Sequence, residues 1–472
     1  MKNITLKNRI TALVLVLVMV LSMSVPSLAA ENPVAGPKLV ADDDSPTGYT
    51  GQFVYYAPDA QKVYFCGDLM LSNHADPTDT KVYTPFEYKP GLMRRGGSQF
   101  KQEMTPLGNG YWYYEVPLAA GANQYWFNVD NGTRMLPDPA NHPQWSPGSN
   151  WNTKNAYNAI YVPYDPVKQN YEPMGARVVE NPRTDGKTGT WSYVAIQVSG
   201  VTRYLGVYLP YGYDPDREEP YKTIYMQHGG GQDESDWMGI GSVQNIMDNL
   251  AAEGLTEPAV IVTPGSQYLG SAAQGYPNLF NIVIPFIEEN YNVSKEVADR
   301  AFAGLSMGSM LAQGIINYDA STFGYFGPWS GGVSVRADAP NLEKTYIFFG
   351  SGLYEGGVDI SRFESVDANV QATRVAGAHD FNTWCQLFTI FARDYLWKPE
   401  AFIIDKVEKL LDKYLAAGEI DNAGIYKSLM AQLKQEELTS FINHVEAQSG
   451  KHISSEAAAI LIMNAERVTP SK

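Results

Sequence analysis

Between residues 301 and 318 the chain passes from Ala301-Phe302-Ala303 through Gly304-Leu305-Ser306-Met307-Gly308 into a stretch with apolar residues at helical spacing. An apolar run, a glycine-flanked serine and a helical pattern read as strand, tight turn and helix. This order constrains the fold more than any other feature. The turn has no room for a Cβ at positions 304 and 308, and it holds Ser306 in a strained conformation with its Oγ exposed. The helix N-terminus behind it favours negative charge developing there.

The surrounding sequence, residues 175–399, has the matching pattern. Apolar runs at 223–227, 259–263, 301–305, 325–330, 346–350 and 372–376 alternate with helical patterns at 243–252, 278–289, 309–318 and 383–396. Residues 190–198 and 202–208 predict an antiparallel hairpin around Gly200. Strand–helix alternation implies a doubly wound, mostly parallel sheet of the α/β-hydrolase kind, with its ligand site at the carboxyl ends of the strands.

Four other segments differ in character. Lys2, Lys7 and Arg9 precede an apolar run and a small-x-small site at Ser27-Leu28-Ala29, so residues 1–29 read as a signal peptide and the protein as secreted and extracellular. Residues 30–48 are rich in Pro, Ala and Asp and read as a linker. Residues 49–165 alternate apolar and polar over short runs separated by turn clusters such as Asp130-Asn131-Gly132, the pattern of a β-sandwich. Within it, Trp112, Trp126 and Trp145 are candidates for stacking on sugar rings. Residues 401–472 turn to Lys, Glu, Ala and Leu. Ile403, Val407, Leu410 and Tyr414 share one helix face, and Ile425, Leu429 and Leu433 share another, which predicts a small helical bundle. Ser454 or Ser455 caps its last helix.

Composition excludes some partners. The formal charge is −16, which disfavours nucleic acid and anionic membrane. No run after the first has the length of a membrane-spanning helix. Cys66 and Cys385 read as two buried free thiols. The six histidines are scattered without ligand spacing, so neither a metal nor another cofactor is expected.

A serine nucleophile needs a base, a group to orient that base, and donors for an oxyanion. Downstream of Ser306 within its domain the one histidine is His379, just past the last predicted strand. The acid belongs after the preceding strand, where Glu355 and Asp359 are both available. Glu355 is favoured because its Gly-flanked turn begins at the strand end. The oxyanion donors are expected to be the N–H of Met307 and that of Gly229 or Gly230, in His228-Gly229-Gly230-Gly231 after the first parallel strand. His228 reads as an anchor for that loop rather than as the base. Trp237, Tyr268, Tyr354 and Trp384 are candidates to line an acyl pocket.

Several of these motifs carry a family resemblance. Gln227-His228-Gly229-Gly230-Gly231-Gln232-Asp233-Glu234-Ser235-Asp236-Trp237 resembles the first-loop signature of the esterase D-like branch of carbohydrate esterase family 1, and Gly304 to Gly308 resembles its elbow. Ser330-Gly331-Gly332 is similar to its small-residue turn. His379-Asp380-Phe381-Asn382-Thr383-Trp384 is similar to its His-x-Trp-x-x-Trp, with Phe381 in place of the first Trp. The resemblance implies a cofactor-independent serine esterase that releases feruloyl or acetyl groups from plant cell-wall xylan. Many members have an Asp where this chain has Glu355.

The N-terminal segment resembles early-set immunoglobulin-like modules related to family 48 carbohydrate-binding modules, through Gly110-Tyr111-Trp112, Tyr125 to Gly132 and Asp138-Pro139-Ala140-Asn141. The stretch from Phe441 to Lys451 resembles FIMAH-type helical modules, which leaves the bundle available for contact with a protein or cell surface. The alternatives on the same fold are an acyltransferase, a siderophore or thiol esterase, and an inactive saccharide-binding protein.

Overall fold

Every residue of the strand Arg300–Leu305 is buried, and parity decides which core each side chain enters. Phe302 joins Tyr225, Leu311 and Ile315 on one face of the sheet, while Ala301, Ala303 and Leu305 join Ile224, Met226 and Leu387 on the other. A strand covered on both faces shows no apolar–polar alternation, which is why these strands read as continuous apolar runs.

The structure, a computed structural model, describes residues 32–73, 76, 78–95, 98–130, 132–141, 146–148, 158–169, 179–363, 366 and 368–466. It comprises N-terminal β-sheets, a central α/β-hydrolase sheet with helices on both faces, and C-terminal helices. The expected signal segment and Trp145 lie outside the described residues.

The first unit contains β1 (Gly36–Ala41), β2 (Tyr49–Tyr56), β3 (Val63–Gly67), β4 (Leu71–Asn73), β5 (Val82–Tyr83), β6 (Leu92–Arg94), β7 (Phe100–Glu103), β8 (Thr105–Gly108), β9 (Tyr111–Pro117), β10 (Gly121–Val129) and β11 (Asn158–Val162). Sheets β1-β2-β9-β8 and β11-β10-β3-β7 enclose a core of Phe53, Phe65, Tyr125 and Phe127, and β5-β4-β6 forms a small third sheet. The stretch expected as a linker therefore needs correction. Gly36–Ala41 pairs antiparallel with β2, and Leu39 packs on the sandwich core. Pro37 within it and the Asp run after it hid a six-residue edge strand that sends one large side chain inward. Trp112 and Trp126 are also core residues, at 8 % and 2 % exposure, so neither offers a face to a sugar.

The central sheet runs β12 (Thr190–Val198), β13 (Val201–Leu209), β14 (Lys222–Gln227), β15 (Ala259–Pro264), β16 (Arg300–Leu305), β17 (Tyr325–Trp329), β18 (Tyr346–Gly352) and β19 (Asn369–Val375). Its order is β12-β13-β15-β14-β16-β17-β18-β19. The hairpin lies at one edge and is antiparallel to β15 as well as within itself, and the pairings from β15–β14 through β18–β19 are all parallel. The order reverses at β14, so a crevice opens between the carboxyl ends of β14 and β16. The helices are α1 (Asp236–Gly239), α2 (Val243–Ala252), α3 (Ile284–Asn290), α4 (Met307–Asp319) and α5 (Phe381–Ile390). The helical patterns at 278–289 and 383–396 each contain a five-residue π-turn, Leu279–Val283 before α3 and Phe391–Tyr395 after α5.

The C-terminal helices are α6 (Pro399–Ala417), α7 (Ala423–Lys434), α8 (Leu438–Gln448) and α9 (Ser455–Glu466). Ile403, Val407, Leu411, Leu429, Leu433 and Phe441 form their shared core. Ser454 Oγ accepts from Ala457 N–H at 3.2 Å and caps α9. The bundle is joined firmly to the sheet, because Phe402 is fully buried in the central core and Gln371 Nε2 donates to its carbonyl at 3.1 Å.

Leu39→Ser is expected to lower the stability of the sandwich by about 1–2 kcal/mol in urea unfolding, through lost apolar burial. A linker residue would leave the transition unmoved.

Candidate active site

The elbow is a point where three backbone segments meet. A Cβ on Gly304 would run into the Gly308 carbonyl, and one on Gly308 would strike the Gln227 carbonyl and come within 2.7 Å of His228 O. Side chains are excluded here by main-chain atoms, which cannot move aside. Ser306 lies between the glycines with φ 52° and ψ −114°, a strained combination for a residue with a side chain. Its N–H donates to Trp329 O at 2.9 Å, and its carbonyl accepts from Met310 N–H at 3.2 Å. These bonds tie the turn to β17 and to α4, which begins at Met307.

Ser306, Glu355 and His379 follow β16, β18 and β19, all at carboxyl ends. His379 Nε2 is 2.9 Å from Ser306 Oγ, and His379 Nδ1 is 2.5 Å from Glu355 Oε1. The His379 side chain is 50 % exposed and that of Glu355 only 10 %, so the imidazole is open to solvent while the carboxylate is shielded. Glu355 Oε2 accepts from Ser330 Oγ at 2.7 Å and from Gly352 N–H at 2.8 Å. Burial opposes ionisation of Glu355. The bonds from His379, Ser330 and Gly352 outweigh it and hold the carboxyl below its ordinary pKa. An ionised Glu355 can only accept, so His379 Nδ1 carries the proton and Nε2 presents a lone pair to the Ser306 hydroxyl.

Beside the serine lies the loop that follows β14. Gly229 is so close that a Cβ there would sit 3.3 Å from Ser306 Cβ. Of the two glycines expected as alternative donors, Gly229 has its N–H directed to Gln232 Oε1 at 2.7 Å. Gly230 stands at the next position, with open space where a Cβ would be. His228 holds this loop rather than acting on Ser306: its Nε2 accepts from Ser266 N–H at 3.1 Å, and its Nδ1 lies 2.8 Å from Gly229 O.

Asp359 does not approach His379. It is exposed and accepts from Ser361 N–H at 2.9 Å, capping a short turn. Three of the four expected acyl-pocket residues are interior. Trp237 is fully buried, stands edge-on to Trp329 and Phe381, and donates from Nε1 to Gln227 O at 3.0 Å. Tyr268 is 5 % exposed and donates to Tyr204 O at 2.6 Å. Trp384 is 4 % exposed and donates from Nε1 to Ser330 Oγ at 2.9 Å. Tyr354, at 36 % exposure, is the one of the four with an open ring. A cavity of about 180 Å³ lies beside the site, lined by Ser330, Phe349, Glu355, Val358 and His379 among others.

Two further supports were not legible in the sequence. Arg374 Nη2 donates to the carbonyls of Leu353 and Glu355, each at 2.8 Å, and clamps the turn that carries the acid. Gln313, buried in α4, donates to Gly332 O at 3.1 Å and accepts from Ser334 N–H at 2.5 Å, which fixes the loop after β17.

Residues 198–387 match the Esterase family model, described as "Putative esterase". The chain is 29 % identical over 320 residues to an endo-1,4-beta-xylanase/feruloyl esterase of Xylanibacter ruminicola, covering 62 % of this chain and 40 % of that protein. It is 32 % identical over 185 residues to endo-1,4-beta-xylanase Y of Acetivibrio thermocellus, covering 36 % of this chain and 16 % of that one. The chain thus spans less than half the length of either curated relative. Among solved structures, a mutant of the feruloyl esterase module from Clostridium thermocellum complexed with sinapinate aligns with TM-score 0.39 at 23 % identity, covering 45 % of this chain and 88 % of that one.

Gly308→Ala is expected to destabilise the central domain by about 1–3 kcal/mol, because the backbone carbonyls of Gln227 and His228 must give way. Thermal unfolding measures it. An unchanged melting temperature would mean that the approach of α4 to that loop is looser than the structure shows.

Proposed function

We propose that the protein is a serine carboxylic-ester hydrolase that removes feruloyl or acetyl groups from plant cell-wall xylan through an acyl-enzyme. The observation that carries the reading is the unbroken line of contacts from Ser306 Oγ through both nitrogens of His379 to Glu355, at 2.9 and 2.5 Å. The esterase-family match supports the reaction class, and similarity to the xylanase/feruloyl esterase of Xylanibacter ruminicola supports the substrate class.

Ser306 Oγ attacks the ester carbonyl as its proton passes to His379 Nε2. The carbonyl oxygen gains the negative charge, and the N–H groups of Met307 and Gly230 receive it. Glu355 stabilises the imidazolium and keeps Nδ1 protonated. As the tetrahedral adduct collapses, the bond to the sugar oxygen breaks, His379 gives its proton to that departing oxygen to make the sugar hydroxyl, and Ser306 retains the acyl group. Water then gives a proton to His379 and attacks the acyl-enzyme. The second adduct releases the carboxylic acid and restores the Ser306 hydroxyl. We place this activity outside the cell, on the strength of the charged, apolar, small-residue order of the first 29 residues.

Hydrolysis of methyl ferulate and of acetylated xylan, side by side, tests the reading. Wild type is expected to turn over at least one, and Ser306→Ala neither. Retained turnover in Ser306→Ala would rule out the serine mechanism, and no turnover of either substrate would rule out this substrate class.

The acid assignment has its own test. Glu355→Gln is expected to lower kcat by about 10³–10⁴-fold by favouring the wrong His379 tautomer, while Asp359→Asn leaves kcat unchanged. The reverse ranking would move the acid to Asp359.

A further inference from the structure

Glu355 reaches His379 on an arm one methylene longer than that of an Asp, and each added rotor is a freedom that must be frozen for the carboxylate to hold one position. Oε1 faces His379, and Oε2 takes the Ser330 hydroxyl at 2.7 Å and Gly352 N–H at 2.8 Å. Ser330 is itself held in an unfavourable backbone conformation, φ 55°, by a bond from its N–H to Gly350 O at 2.8 Å. Its Oγ also receives the Trp384 indole N–H at 2.9 Å.

The direction of this chain of bonds follows from the inventory of protons. An indole N–H can only donate, and a hydroxyl has one proton. Ser330 Oγ must therefore accept from Trp384, and its single proton is directed at Glu355 Oε2. Trp384 is buried and stands edge-on to His379, with centroids 5.2 Å apart and planes at 85°, and edge-on to Phe381. The ring is wedged between the base and the core, so its N–H cannot swing away from Ser330.

We propose that Ser330 and Trp384 are positioning residues, a relay that fixes the Glu355 carboxylate in the orientation His379 requires. The inference rests on the triad reading above and adds to it two residues that touch no reacting atom. It also gives Trp384, expected from the sequence to line an acyl pocket, a different task. Among the described residues, the titratable group bonded to this carboxylate is His379, and the charged group on its turn is Arg374, through the turn's backbone carbonyls. The Ser330 hydroxyl is one of the bonds that hold Glu355 below its ordinary pKa. A carboxylate so lowered keeps its charge as the pH falls toward its ordinary value. Loss of the bond leaves the Glu355 carboxylate more basic, which strengthens its hold on the His379 Nδ1 proton and moves the acid limb of activity, where the free base is lost, upward.

The test uses the full-length protein with Ser330→Ala, Trp384→Phe and the double variant. Each is measured for the rate of Ser306 labelling by a fluorophosphonate, and for methyl ferulate hydrolysis across pH if that ester is a substrate. Ser330→Ala is expected to slow labelling and kcat about tenfold with KM little changed, and to shift the acid limb to higher pH. Trp384→Phe keeps the ring and loses the N–H; it should move both in the same direction by less. The double variant should be no slower than Ser330→Ala, because Trp384 acts through Ser330. Multiplicative losses in the double variant, or an acid limb unmoved in Ser330→Ala, would overturn the relay. A lowered melting temperature with an unmoved limb would do so as well, since it would mark both residues as packing alone. Failure of the triad reading looks different: Ser306→Ala would still hydrolyse ester.

Discussion

The close approach of main chain to main chain at Gly308 is the constraint on which the rest of the site depends. The first turn of α4 lies against the carbonyls of Gln227 and His228, so the end of β14 and the start of the nucleophile helix are in direct backbone contact. That contact sets the distance between the serine and the loop that faces it. No side-chain packing could set it as tightly, because side chains relax by changing rotamer and backbone carbonyls do not. The strain at Ser306 persists for the same reason. It is held by bonds to β17 and α4 and by glycines on both sides, so easing it would mean moving a strand.

Much of the site was legible because its residues are placed by strand ends. Ser306, Glu355 and His379 each follow an apolar run, and a parallel sheet brings the ends of such runs to one edge. Counting runs therefore located the three residues without any knowledge of contacts. The aromatic residues were not legible in the same way. Trp237 lies in the short helix α1 and Tyr268 in a single helical turn, but sequence position does not say whether a side chain there turns out or in. Trp237 turned in because its indole N–H satisfies the Gln227 carbonyl and its ring fills the space between Trp329 and Phe381. The donors of the oxyanion loop were half legible. Two adjacent glycines looked equivalent until the Gln232 side chain was seen to take the Gly229 N–H. Ser330 read as a small residue in a turn, and its hydroxyl matters only because β17 and β18 are neighbours in the sheet.

The edge strand β1 and the π-turns were lost for local reasons. A six-residue strand with one inward Leu has little periodicity to detect, and Pro37 within it and the Asp run after it lower the signal further. A π-turn inserts one residue into a helical pattern and shifts the apolar face, so Leu279–Val283 and Phe391–Tyr395 read as ordinary helix with imperfect spacing.

The N-terminal sandwich explains its own aromatic content without a sugar. β10 is buried along eight of its nine residues, which a sandwich strand with one wet face would not be. Tyr125 and Phe127 fill the sandwich core, and the same strand contacts α5, the helix that begins just after His379. A second contact reaches the other side of the cleft, where Ser146 donates from Oγ to Glu234 Oε1 at 2.5 Å and from N–H to Ser235 Oγ at 2.8 Å. Glu234 and Ser235 belong to the loop that begins at His228. The sandwich thus touches both the segment carrying the base and the segment carrying the glycine donors, which come from strands on opposite sides of β16. A unit bonded to both limits how far the two can move apart. Trp112 and Trp126 are buried within the module, which meets the site through these two contacts.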